Sequence, residues 1–333
     1  MKKILCLFLF GLATGFVFSE KSVDEVLKNF DNALLKSSST TAQTAIGFIT
    51  YADTNTSGTV ATYFQKEIEK AAKNTRRIKI VPSSSMGESE QVVVATRSVN
   101  LGMMKKKNTT SRKYVIDGIY IERNENIVLT LFMRDSDGEI VSEQTAEIRK
   151  KEIDDKKLTL YPENIKLAAM IQQDFDSVSQ VNVQENKMAD AEKKILIAAS
   201  MLDKENNLVN ILYPDDTVKF KVSTNHNCYL AILMISADGE KQWLPISDSF
   251  MTANTTRYFP DIPGAVLRVM DGFFGAEQVV IYAASTREAL PPQTDEGIYT
   301  KQNLQQTRKF QLERQQEDVA MGTFKITYTV MRK

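Results

Sequence analysis

Apolar side chains recur at Val23, Val26, Leu27, Phe30 and Leu34, the spacing of one helical face. Ser22-Val23-Asp24-Glu25 ahead of them has the capping-box form, in which a hydroxyl and a carboxylate satisfy free amides at a helix start. The pattern predicts a helix to about residue 35, then the polar linker SSSTTAQT. AIGFITY (45–51) reads as a short apolar strand and ADTNTSG as a turn. Val60, Phe64, Ile68 and Ala71 lie on one face of a helix over 60–72, and a strand resumes at 78–81. Strand, helix and strand at this spacing predict a βαβ unit with parallel pairing. Segments 114–121, 127–133 and 139–148 then read as three consecutive strands with hairpin turns at NEN and DSDG, since Asp-Gly readily supplies positive φ.

A helix is predicted over 162–178, with Pro162 suited to its first turn and Gln172 interrupting its apolar face. QVNVQENKMADAEKK follows as a linker. Beyond it the texture is β, with strands predicted at 195–202, 217–224, 229–236, 241–244, 265–270, 278–285 and 323–331, separated by YPDD, ADG, PDIPG and PPQTDEG. Periodicity does not decide between helix and strand for 301–318. The expected fold class is an α/β domain, a βαβ unit completed by an antiparallel meander, followed by an all-β antiparallel sandwich. The expected divisions are a leader at 1–19, an amino-terminal helix at 20–39, the α/β domain at 40–155, a helix and linker at 156–194, and the sandwich at 195–333.

Two lysines precede the apolar run Ile4 to Val17, and Ser19 stands just before a charged start at Glu20, the layout of a secretory signal peptide cut after Ser19. Cys6 lies inside that run without the small residues that precede a lipid-attachment cysteine, so the expectation is an exported protein, periplasmic or associated with the outer envelope, and not a lipoprotein. The 333 residues are 42% hydrophobic and 25% charged, a globular balance. Loss of Lys2 and Lys3 takes the basic count from 42 to 40 against 42 acidic residues, so no whole-chain field favours nucleic acid. Only Cys228 then remains, and no internal disulfide can form.

Tyr213-Pro-Asp-Asp216-Thr-Val, Tyr229-Leu-Ala-Ile-Leu, Asp238-Gly239, Trp243-Leu-Pro245, Ile262-Pro263 and Gly275-Ala-Glu277 leading into Ile281-Tyr-Ala-Ala-Ser285 follow one another in an order that resembles the DUF4384 family of bacterial envelope proteins over about 195–331. The family often has Leu-Phe-Pro at Trp243-Leu244-Pro245 and a glycine at Asp215. The resemblance implies a location and a fold but names no activity. The AIGFITY and RRIKIVP strands and the YVIDGIY to IVLTLFMRDSDGEIV meander are similar to the α/β domains of curli-secretion and penicillin-binding-protein-activator lipoproteins, an analogy of fold.

TNHNCYLAILMISADGEKQWLP gathers His226, Cys228 and Trp243, the only histidine, the only cysteine outside the amino terminus and the only tryptophan. On an extended strand His226 and Cys228 would share a face, and an imidazole can activate a thiol, which opens a Cys/His hydrolase or transferase as an alternative. No third residue is marked to orient the ring, and a small thiol that simply packs is the plainer reading. One His with one Cys falls short of the usual zinc sets, YPDD and DSDG are explained by turn chemistry, and no GxSxG, phosphate-loop, GxGxxG, HExxH or CxxC pattern occurs. The expectation is therefore no cofactor, no metal and no catalysis. The contact candidates are Phe273 and Phe274 in a glycine-flanked loop, Trp243, and the basic run with Lys105, Lys106 and Lys107. The expected partner is an envelope protein or glycan, with peripheral membrane contact through the lysines and no nucleic acid. Binding would run through the sandwich loops or an open strand edge.

Overall fold

The computed structural model describes residues 22–37, 41–86, 113–170, 194–291, 293 and 320–332. Expectations for the leader, the lysine run 105–107, the second half of the 162–178 helix and 301–318 lie outside the described residues.

The chain opens with helix α1, Val23–Ser37, whose Ser22 hydroxyl accepts the Glu25 N–H at 3.3 Å, half of the predicted capping box. Strand β1, Ala42–Tyr51, starts three residues earlier than its apolar run suggests: Thr44 is buried, and its hydroxyl donates to the Ala42 carbonyl. Helix α2, Thr59–Ala72, buries Val60, Phe64, Ile68 and Ala71 as their spacing requires, and strand β2, Ile78–Ile80, pairs parallel with β1. Strands β3, Lys113–Arg123, β4, Asn126–Asp135, and β5, Ile140–Arg149, complete a five-stranded sheet in the order β2-β1-β3-β4-β5. β3 runs parallel to β1, and the β3-β4-β5 meander is antiparallel. Ile127, Leu129, Leu131 and Met133 of β4 alternate inward to one core with Phe30 of α1, Phe64 of α2 and Tyr120 of β3. A short helix α3, Lys150–Asp155, was not legible because only Ile153 of its turn is buried.

The carboxy-terminal half is built from β6 (Ile197–Leu202), β7 (Ile211–Leu212), β8 (Thr217–Thr224), β9 (Cys228–Ile235), β10 (Lys241–Trp243), β11 (Phe250–Met251), β12 (Thr256–Phe259), β13 (Leu267–Arg268), β14 (Gly275–Ala284) and β15 (Met321–Val330). One sheet has the order β10-β9-β14-β15-β7 with β11 also on β9; the other has β8 at its centre, flanked by β6, β12 and β13. Phe220 and Val222 of β8, Met201 of β6 and Phe259 of β12 share a core with Leu230 and Ile232 of β9, Val279 and Ile281 of β14, and Tyr328 and Val330 of β15, so the two sheets pack face to face. The expectation of a wholly antiparallel sandwich is corrected at its edge. β7 pairs parallel with β15, since it enters from the opposite end, after the 203–209 loop.

The two halves are tied by buried polar groups. The Ser57 N–H donates to the Thr329 hydroxyl at 3.2 Å and the Asn210 amide donates to the Ser57 hydroxyl at 3.2 Å, all three residues being buried. Leu208 packs against Ala45 and Val115 on the back of the first sheet while its N–H donates to the Ser83 hydroxyl at 2.9 Å. The helix begun by Pro162, seen over 165–170, is anchored through Asn164. That side chain donates to the Ala237 and Ala276 carbonyls and accepts the Ala276 N–H, in space left open because Gly275 has no Cβ.

Candidate functional site

His226 and Cys228 are not the strand pair that their spacing suggests. His226 lies in the bend between β8 and β9, where its carbonyl accepts the Thr224 hydroxyl, whereas Cys228 is the first residue of β9 and points into the sandwich core. The same-face rule needs both residues on one extended strand, and only one is. The Cys228 thiol is fully buried and donates to Thr224 Oγ1 at 3.6 Å; burial pushes its pKa up, and this hydrogen bond offsets that only in part. A thiol so placed is a packed core group and not a ready thiolate.

Trp243 packs on the outer face of the larger sheet, its ring centroid 6.0 Å from that of Tyr282, beside Ala231 and Leu290. Its neighbour Leu244 is the one that turns into the inter-sheet core. Phe274 packs against the core under the Arg332 guanidinium, 4.8 Å from the ring centroid, whereas Phe273 stands in solvent. The structure thus separates the aromatic candidates and gathers none of them at one site.

A cleft of about 630 Å³ opens elsewhere, between the 245–249 bulge at the β9 edge and the 287–291 turn that follows β14, with Gln293 also lining it. Leu244 N–H donates to the Ile232 carbonyl and Leu230 N–H to the Ser249 carbonyl, so residues 245–248 are pushed out from the sheet between two fixed points. The bulge is held from behind. Ser247 donates both its N–H and its hydroxyl to Asp261 at 2.8 Å, and Arg257 pairs with the same carboxylate. Burial pushes the Asp261 pKa up, but the Ser247 hydrogen bonds and the Arg257 guanidinium outweigh it, and the net position is below the usual carboxylate range. Pro245, Ile246, Leu290 and Pro291 give the cleft apolar walls, and Asp248, Ser249, Arg287, Glu288 and Gln293 face it with hydrogen-bonding groups. Arg287 and Glu288 hold no side-chain partner among the described residues. The volume is in the range of small-ligand and peptide pockets. This cleft was missed in the sequence; the two prolines bracketing polar stretches, at Pro245 and Pro291, were the available signal.

A half-buried acid sits at the far end of the sandwich. Glu277 accepts the Tyr328 hydroxyl at 2.6 Å, and burial raises its pKa above the ordinary 4.5 despite that hydrogen bond and one from the Ala237 N–H. A group that holds its proton more tightly when folded contributes stability that is complete below pH 4.5 and is lost as pH rises through the folded value. Glu277→Gln should therefore match the wild type in thermal melts near pH 4 and overtake it as pH approaches neutrality. A wild-type advantage that grows with pH would contradict this account.

Among the described residues no group of three or more His, Cys, Asp or Glu is placed to hold a metal, and no helix is long and apolar enough to cross a membrane. Residues 211–287 match DUF4384, a domain of unknown function. The DUF4384 region is narrower than the resemblance over 195–331: it runs from β7 to the turn after β14 and includes both Ser247 and Arg287, while β6 and β15, which complete the same two sheets, lie outside it. No curated protein matches the chain. Among solved structures, the carboxy-terminal domain of LpoB from Salmonella enterica is similar at 14% identity, covering 39% of this chain and 99% of that one, with a TM-score of 0.26.

Proposed function

We propose that this is an exported, non-enzymatic component of the bacterial cell envelope that captures a partner protein or glycan through the loops of its DUF4384 region. The observation that carries the reading is the cleft between 245–249 and 287–291: its wall is pre-set by the Ser247, Asp261 and Arg257 network, and it offers Arg287 and Glu288 without competing side-chain partners among the described residues. Preorganised loops lose little freedom on binding, which favours recognition. The leader-like first nineteen residues and the envelope resemblance support the location. Burial of Cys228 in the core supports a role without covalent chemistry.

Capture from envelope extract under gentle crosslinking tests the proposal. The wild type should retain a partner, and Arg287→Ala with Glu288→Ala should weaken retention by about fivefold or more, the loss that about 1 kcal/mol of contact energy represents. His226→Ala and Cys228→Ala should retain it unchanged. Absence of any retained partner, or equal retention by the cleft variant, would count decisively against the reading.

A further inference from the structure

The charges of the cleft narrow the partner it captures, granted the capture role proposed above. Two carboxylates face it from opposite sides, Asp248 on the 245–249 bulge and Glu288 on the 287–291 turn, and both are exposed. Among the described residues neither has a cation within ion-pair distance: Asp248 accepts the Phe250 N–H at 2.9 Å, and the Glu288 carboxylate holds no partner. Arg287 is the one cation among the described lining residues. Arg257, behind the bulge, is paired with Asp261, and Lys241 stands opposite Ile235, at the end of β10 away from the cleft. The lining therefore carries two acids against one base, on walls that are otherwise aliphatic: Pro245, Ile246, Leu290 and Pro291.

Each class of envelope ligand meets this lining differently. A phosphate-rich polymer or lipid headgroup would bring its anions against two unpaired carboxylates, which repel it. A neutral sugar presents a C–H face that aromatic rings stack on, and no ring is among the described lining residues; Trp243 is packed on Tyr282 and Phe250 on Tyr229. An extended polypeptide suits both kinds of group. Its small apolar side chains fit the aliphatic walls, and Ser249, Gln293 and Arg287 offer donors to its carbonyls. Lysine or arginine on it would answer the two carboxylates. We infer that the captured partner is a protein, and that the cleft takes an extended segment carrying lysine or arginine beside aliphatic residues. Asp248 and Glu288 are the groups that select for positive charge.

The test incubates the exported chain from Glu20 with a bead library of random N-acetylated hexapeptide amides and sequences the retained beads. On the wild type, lysine and arginine together should exceed aspartate and glutamate by about threefold or more, as charge pairs at an exposed rim allow. Asp248→Asn with Glu288→Gln should bring that ratio close to parity, and Asp248→Lys with Glu288→Lys should invert it. Asparagine still accepts the Phe250 N–H, so thermal melts of the neutral variant should not move. A wild-type pool without basic bias, an empty pool, or a bias that survives in the neutral variant overturns the inference. So does a partner from envelope extract that protease leaves intact and periodate destroys, which would make it a glycan and leave the capture reading standing. A basic pool that charge reversal inverts supports the assignment even where no extract partner is retained, an outcome that would count against the capture reading alone.

Discussion

Tyr120→Phe is expected to destabilise the amino-terminal half by about 2–6 kcal/mol, the sum for two buried backbone groups left unpaired. Tyr120 is fully buried, and its hydroxyl accepts the Gly58 N–H at 3.0 Å while donating to the Leu160 carbonyl. Burial raises its pKa far above the usual range, so the phenol keeps its proton and stays a donor. The pairing matters because Gly58 caps α2 where that helix meets the 158–160 segment. Val60 N–H donates to the Thr159 carbonyl, and Thr59 and Thr159 exchange backbone-to-hydroxyl bonds. A Cβ at Gly58 would lie 2.2 Å from the Thr159 carbonyl oxygen, a backbone atom that cannot swing aside, so Gly58→Ala should fail in the same direction. Urea unfolding followed by far-ultraviolet circular dichroism measures the loss, and faster amide exchange at Gly58 would locate it. If Tyr120→Phe cost no more than the exposed Tyr161→Phe, the bridge would not be holding α2.

How much of this was legible depended on whether a residue's partner was near in sequence. The β4 alternation and the α2 face could be read directly, because each follows from a periodicity of the element itself, and the Ser22 cap was legible for the same reason. β9 read only as a continuous apolar run, since it is buried on both faces: Cys228, Leu230 and Ile232 face the inter-sheet core, and Ala231, Leu233 and Ile235 the other side. β7 and β11 have two residues each and carry no period at all; they exist because β15 and β9 hold their backbone groups, whereas β13 falls inside the strand expected at 265–270. The cleft was hidden for a related reason. Its two walls are some forty residues apart in sequence and meet because β9 and β14 are neighbours, with Tyr229 opposite Ala284. The same-face alternative for His226 and Cys228 failed at the level of local geometry, because His226 lies two residues outside both β8 and β9.

The sandwich should be equally sensitive at its centre. Phe220→Ala is expected to cost about 3–5 kcal/mol, the range for removing a buried aromatic ring and leaving its cavity. Phe220 is fully buried on β8, opposite Met201 of β6 on one side and Phe259 of β12 on the other, in the core the two sheets share. No disulfide limits the unfolded state, since Cys228 is free, so this core sets the stability of the half. Set against the roughly 5–15 kcal/mol that holds a typical domain folded, such a loss is a large fraction. Trp243 lies on β10 of the facing sheet and is the only tryptophan, so its fluorescence reports this half alone. With an m-value of about 2 kcal/mol/M in urea, the midpoint should fall by about 2 M. Phe273→Ala is the matched control: it removes the same ring from an exposed position and should stay within about 0.5 kcal/mol of wild type. A Phe220→Ala midpoint within about 0.5 M of wild type would mean that the two sheets do not depend on a common core, and equal losses for both phenylalanines would mean that Phe273 is not the free surface group that its exposure indicates.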